Sequence, residues 1–236
     1  METEHRKGIF YGVGVGPGDP ELITVKAVRT IEACSVIAAP RTSDGGMLAL
    51  SIAEKAANLS GKRVLSLSFS MSRDAAERER AHRAAEEAVK AELDKGNDTA
   101  MLTIGDISVY STFQYLAEPL KAQGYEVRMI AGVPSFCAAA ARLNRSLTEM
   151  NSPILIVPAG DKTALEASLD FPGTKVLMKS GRQLPKVLRT LSERGLSECS
   201  ALVNRCGLEG EEVIDGLGGL DPEKSAGYFA TIIVKP

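Results

Sequence analysis

Residues 12–27 read GVGVGPGDPELITVKA, the end of a strand, a glycine-rich loop and the start of a helix. Ile9, Phe10, Tyr11, Val13 and Val15 supply an apolar run of β type, while Gly14, Gly16 and Gly18 let the backbone turn tightly and approach a ligand. Pro17 stiffens the turn. Asp19 before Pro20 and Glu21 predicts an N-cap with proline in the first turn, and Leu22, Val25 and Val28 follow at helical spacing. Spacing excludes two common phosphate-binding corners. Counted from Gly12 or Gly14, the third glycine of a dinucleotide fingerprint falls on Pro17 or Asp19, and Lys26 lies too far from the last glycine for a phosphate loop.

The pattern of strand, loop and helix continues outward from this corner. Strands are expected at Val36–Ala39, Lys62–Phe69, Thr99–Ile104 and Val127–Ile130, with a helix carrying Leu48 to Ala53 after the Gly45-Gly46 pair. Asp74 and Glu77 resemble a capping box that opens a long helix through Leu93, whose mixed charges mark a solvated face that includes His82. The apolar run TAMLTI suits a parallel strand buried on both sides, and GDISVYSTFQYL after it turns into a helix with Phe113, Leu116 and Leu120. Such alternation implies a parallel sheet with right-handed crossovers and ligands beyond the strands' C-terminal ends.

Ala131-Gly132-Val133-Pro134 reads as a linker, so we expect domains at 1–132 and 133–236. Beyond it lie a helix, then strand Ile154–Val157, helix Thr163–Leu169, strand Lys175–Met178, helix Leu184–Arg194 and strand Ser200–Val203. Val213-Ile214 and Tyr228–Lys235 add strands without an intervening helix, which makes the second sheet partly antiparallel.

Composition narrows the function. A chain of 236 residues, 44% hydrophobic and 25% charged, is a globular protein large enough for one or two domains, and a net charge of −2 argues against a nucleic-acid-binding surface. Cys34, Cys137, Cys199 and Cys206 show no C-x-x-C spacing, and with His5 and His82 as the histidines no metal cluster can be assembled. No segment reaches the ~18 apolar residues of a membrane span, so a cytoplasmic protein without membrane partners is expected.

The motifs GPGDPELIT, TIGDISVYSTF, AGVPSF, VLMK and GYFATIIVK, in that order along nearly the whole chain, resemble the tetrapyrrole methylases. With APR before a Gly-Gly loop, they are most similar to the branch that methylates C-20 of precorrin-2 or cobalt-factor II in cobalamin biosynthesis. The resemblance implies a two-domain α/β fold, a mostly parallel N-terminal and a mixed C-terminal sheet with the active site in the cleft between them. It also implies S-adenosyl-L-methionine as methyl donor, a tetrapyrrole acceptor and a homodimer.

Carried over to this sequence, the resemblance places Pro17, Ile104, Gly105, Asp106 and Val109 at the donor, with Pro134 and Ser135 at the linker. Lys179 and Cys206 would close over its adenosine. Two positions depart from the family's pattern: Ile107, where proline is common, and Pro134, where a threonine hydroxyl is common. The chemistry is displacement at a sulfonium methyl, for which the enzyme orients donor and acceptor in line. A proton must also leave the acceptor carbon, and Asp106, Lys179 and Tyr228 are the candidates to assist. Arg41, Arg73 or Arg182 could pair with acceptor carboxylates. Two alternatives stay open: another tetrapyrrole, protein or RNA methylase of the same fold, and a non-catalytic tetrapyrrole- or nucleotide-binding protein.

Overall fold

A computed structural model describes residues 6–42, 45–70, 72, 74–160, 162–221, 223 and 227–235. The chain divides into two compact units, Met1–Pro134 and Ser135–Pro236, at the end of the Ala131–Pro134 segment.

The first unit is a five-stranded sheet of β1 (Phe10–Gly14), β2 (Val36–Pro40), β3 (Arg63–Leu67), β4 (Thr99–Thr103) and β5 (Val127–Ile130) in the order β3-β2-β4-β1-β5. Every pairing is parallel. The order dictates where the helices go, because right-handed crossovers running in opposite directions along a sheet cover opposite faces. The connections through α1 (Val25–Ala33) and α2 (Leu48–Ala53) run one way, and those through α3 (Ala75–Leu93) and α4 (Gln114–Ala122) run back. On the second of these faces Val89 and Leu93 of α3 and Leu116 and Leu120 of α4 bury Phe10, Met101 and Leu67.

The second unit orders β6 (Ile154–Pro158), β7 (Thr174–Met178), β8 (Ser200–Asn204), β9 (Glu212–Asp215) and β10 (Ala230–Val234) as β6-β7-β10-β8-β9. Strands β6 and β7 are parallel, while β10 runs antiparallel between β7 and β8, and β9 antiparallel to β8. Leu165 and Leu169 of α6 (Lys162–Leu169) and Leu184, Val187, Leu188 and Leu191 of α7 (Leu184–Glu193) pack on Leu177, Leu202 and Ile232. Helix α5 (Ser135–Arg142) lies against β10. The parallel first sheet and mixed second sheet are as the sequence predicts.

Four local expectations are corrected. The first helix does not run on from Asp19: Asp19 caps a 3-10 turn at Pro20–Leu22, Ile23 and Thr24 are extended, and α1 starts at Val25. The Thr24 hydroxyl takes over as cap, accepting from Ala27 N at 3.1 Å. The capping box of α3 is open, because Ser72 Oγ accepts from Asp74 N and Ser70 Oγ donates to Glu77. Tyr228 precedes β10, in the turn before Ala230. His82 is half-buried, its ring stacked 4.4 Å from that of Tyr115.

Candidate active site

Because the first sheet is parallel, the ends of β5, β1 and β4 lie side by side, and each is followed or closed by a glycine. A Cβ on Gly132 would lie 2.3 Å from the Gly105 carbonyl oxygen, and one on Gly14 would lie 2.6 Å from that oxygen and 2.7 Å from Gly132 N. No side chain fits at either position, so the three strand ends meet backbone to backbone. Gly105 and Gly16 both have positive φ, 76° and 77°, and bridge through Gly105 N to Gly16 O at 2.7 Å and Gly16 N to Gly105 O at 3.2 Å. This bridge folds the loop carrying the buried Pro17 back across the strand ends.

Asp106 closes the arrangement. Its Oδ1 accepts from Ser108 N at 2.8 Å and from the Ser108 hydroxyl, and its Oδ2 accepts from Gly132 N at 2.8 Å. The carboxylate thus ties the loop after β4 to the segment after β5, over the end of β1. Burial pushes its pKa up, but the hydrogen bonds from Ser108, Gly132 and Ile107 outweigh burial and hold it below the ordinary aspartate value. Both oxygens serve the fold of the loop, which suits an anchor better than a proton acceptor.

Around this anchor Ile104 and Val109 are half-buried, and Val109 N closes the turn on Asp106 O at 3.3 Å. Ile107 is 4% exposed in the core beside Phe113, which accounts for an apolar residue there. Pro134 is half-buried at the end of the unit. Thr24, which sequence reading passed over, donates its hydroxyl to Ala131 O at 3.2 Å and so joins α1 to the same rim. Tyr110, also passed over, holds a left-handed backbone at φ 50° with its side chain exposed. Arg41 follows β2, exposed, with Nε on Ser66 Oγ at 3.1 Å. Arg73 lies outside the described residues, as does the side chain of Arg182.

The remaining candidates gather at one end of the second sheet. Lys179 follows β7 and Cys206 lies just beyond β8, while Tyr228 precedes β10, the strand between them. Lys179 is half-buried and left-handed at φ 56°. Cys206 is buried; Tyr228 is 48% exposed and packs edge-on against Phe229. Ser135 opens α5 with its hydroxyl 3.5 Å from Thr231 Oγ1 on β10.

Two neighbours here escaped the sequence reading. Arg205 is exposed and left-handed at φ 54°, with its N–H on Phe229 O at 3.3 Å and Nε on Glu209 O at 2.7 Å. Asn204 is 9% exposed, and its Oδ1 has no hydrogen-bond partner. The signal that could have drawn attention to Asn204 was a polar residue closing the apolar run ALV.

Residues 10–220 match the Tetrapyrrole (Corrin/Porphyrin) Methylases. The chain belongs to this family. Among its relatives, the cobalt-precorrin-2 C(20)-methyltransferase of Salmonella typhimurium is 31% identical over 229 residues, covering 96% of each chain. The probable cobalt-precorrin-2 C(20)-methyltransferase of Methanocaldococcus jannaschii is 33% identical over 228 residues, 95% of each. Among solved structures, a cobalt precorrin-4 methyltransferase shares the fold with a TM-score of 0.75 at 21% identity, over 96% of this chain and 94% of that one. The uroporphyrin-III C-methyl transferase of Thermus thermophilus, complexed with S-adenosyl homocysteine, does so at 0.70 and 20%, over 97% of each. In this tetrapyrrole methylase the glycine-packed rim and its Asp106 anchor fall inside the family match, as do Lys179, Asn204, Arg205 and Cys206; Tyr228 and β10 lie beyond it.

Proposed function

We propose that this chain is an S-adenosyl-L-methionine-dependent methyltransferase that methylates C-20 of cobalt-factor II, or of its metal-free counterpart precorrin-2, in cobalamin biosynthesis. The observation that carries this reading is end-to-end likeness to C(20)-methyltransferases of a bacterium and an archaeon. The cobalt-bearing acceptor is favoured because those two relatives are 31% and 33% identical, against 28% for a precorrin-2 C(20)-methyltransferase of Sinorhizobium. We propose further that it works in the cytoplasm as a homodimer, as its resemblance to the family implies; among the described residues no helix is long and apolar enough to cross a membrane.

The residues fit the donor. Gly14 and Gly132 leave no room for a Cβ against the Gly105 carbonyl, and Gly105 has a positive φ, so the loop proposed to hold the donor is fixed as bare backbone at the strand ends. When bound, the donor supplies an activated methyl on a sulfonium. We assign Pro17, Ile104, Gly105 and Val109 to hold it on the first unit, with Asp106 fixing the shape of their loop, and Pro134 and Ser135 to contact it as well. Lys179 and Cys206 serve it from the second unit through the backbone after β7 and β8. The Lys179 ammonium and Tyr228 hydroxyl face the acceptor, where a cation suits a carboxylate and a phenol can assist proton loss.

Calorimetry with S-adenosyl-L-methionine and S-adenosyl-L-homocysteine, followed by anaerobic incubation with cobalt-loaded and metal-free acceptor, tests this. The expected product gains one methyl at C-20, located by NMR. Binding of neither nucleoside, or a methyl elsewhere on the ring, overturns it.

A further inference from the structure

We infer that Asn204 is a ligand-binding residue whose carboxamide oxygen accepts a hydrogen bond from an N–H of the bound donor or acceptor; this rests on the methyltransferase reading above. Asn204 ends β8, paired with Ala230 of β10 on one side and Glu212 of β9 on the other. It is nine-tenths buried, and among the described residues its Oδ1 is the buried side-chain atom without a hydrogen-bond partner. Elsewhere in this unit buried hydroxyls are satisfied internally: Ser180 Oγ donates to Ala230 O at 3.1 Å, Ser200 Oγ to Leu196 O at 2.7 Å and Thr190 Oγ1 to Lys186 O at 2.9 Å. A fold that pairs those groups does not leave a carboxamide oxygen unpaired without consequence, since native proteins satisfy nearly all buried polar groups.

Nothing in the strand calls for an amide. Ala201, Leu202 and Val203 are apolar and buried, and alternation puts Asn204 on the face of Leu202, at the end of the apolar cluster beneath α6 and α7. A leucine would extend that cluster. An amide there serves a partner from outside the unit, and the rim around it is specialised: Lys179 and Arg205 flank the start of β10 in left-handed conformations that residues other than glycine rarely adopt.

The orphan atom also selects the chemistry. An oxygen acceptor needs an N–H or O–H, so it repels the acceptor's carboxylates, which suit Lys179 and Arg205 instead. N–H sources in the proposed reaction are the adenine amine and the α-ammonium of the donor and, in the metal-free acceptor, pyrrolic N–H groups, which the cobalt-loaded ring lacks because its nitrogens bind the metal.

The test is Asn204→Leu in the full chain, read by three measurements: Tm, calorimetric affinity for S-adenosyl-L-homocysteine, and KM for the acceptor. We expect an unchanged or raised Tm together with a loss of about three- to tenfold in one ligand arm, the scale of one neutral hydrogen bond. Loss in the nucleoside arm identifies the donor as the source; loss in the KM of the metal-free acceptor identifies a pyrrole. Both arms within twofold of wild type would overturn the inference and leave Asn204 a structural or water-bridged residue, while the methyltransferase reading stood. If the variant does not fold, the Asn204 carboxamide signals of isotope-labelled wild type are followed by NMR during titration with S-adenosyl-L-homocysteine and with acceptor. A shift in one titration supports the inference, and none in either overturns it. Wild type that binds neither ligand takes both readings down.

Discussion

The two sheets end in rims built on opposite plans. In the first, glycine occupies the crowded positions 14 and 132 and the left-handed positions 16 and 105, and both Asp106 oxygens are engaged by the loop itself. In the second, Lys179 and Arg205 carry left-handed backbone alongside Gly207, where the first has Tyr110 as its left-handed residue other than glycine, and a buried amide oxygen is unpaired. The first rim is thus finished by its own atoms, while the second keeps cations and an acceptor at its edge.

The largest expected effect breaks the comparison if it fails to appear. Gly132→Ala drives a Cβ to within 2.3 Å of a backbone oxygen, whereas Gly227→Ala, just before β10, meets nothing within 4 Å. Denaturant titration should show Gly132→Ala losing ~3 kcal/mol or more, or failing to yield folded protein, with Gly227→Ala within about 0.5 kcal/mol of wild type. Equal stability of the two variants would mean the first rim is not close-packed.

Asp106→Asn sharpens the same point. The amide turns one acceptor into a donor facing either Ser108 N–H or Gly132 N–H, so a change that sequence alone would treat as conservative should cost about 1–3 kcal/mol. It also carries a pH signature. The folded pKa of Asp106 is held below that of the unfolded chain, so its contribution is complete above the unfolded value near ~4 and is lost as pH falls through the lowered folded value. Wild-type stability measured from pH 6 down to 2 should therefore fall more steeply than that of Asp106→Asn. Parallel curves would show that the carboxylate is not the anchor.

The smallest effect on stability is expected in the second rim. Arg205→Gly relieves a left-handed backbone worth about 1–2 kcal/mol but frees the unfolded chain by about 1, so the net change should lie within ~1 kcal/mol. Acceptor KM should nevertheless rise if the guanidinium meets a carboxylate. A large loss of stability with unchanged KM would class this rim with the first.

Most of the strand pattern was legible because strands buried inside a sheet, such as the parallel TAMLT and the antiparallel ALV, are uninterrupted apolar runs. What was not legible depended on long-range partners. Thr24 ends the helix expected from Asp19 because its hydroxyl can both cap Ala27 and reach Ala131, a residue no local pattern connects to it. Asp106 was visible as a residue at a strand end, but its role turns on the Gly132 N–H across the sheet. The letters SALVN show a polar residue closing an apolar run, but not that the Asn204 oxygen is unpaired, which is a property of the packed unit.

The place of β1 between β4 and β5 has a consequence for how the chain reaches its native state. Phe10 pairs with Thr99 on one side and with Val127 on the other, so both neighbours of the first strand made are among the last of their unit to leave the ribosome. For roughly ten seconds at ordinary rates of synthesis that strand has no native partner, while β2 and β3 pair locally. Assembly of the first sheet therefore finishes one strand in from its β5 edge, by closing two long loops around β1, and the slow step in refolding should be insertion of β1.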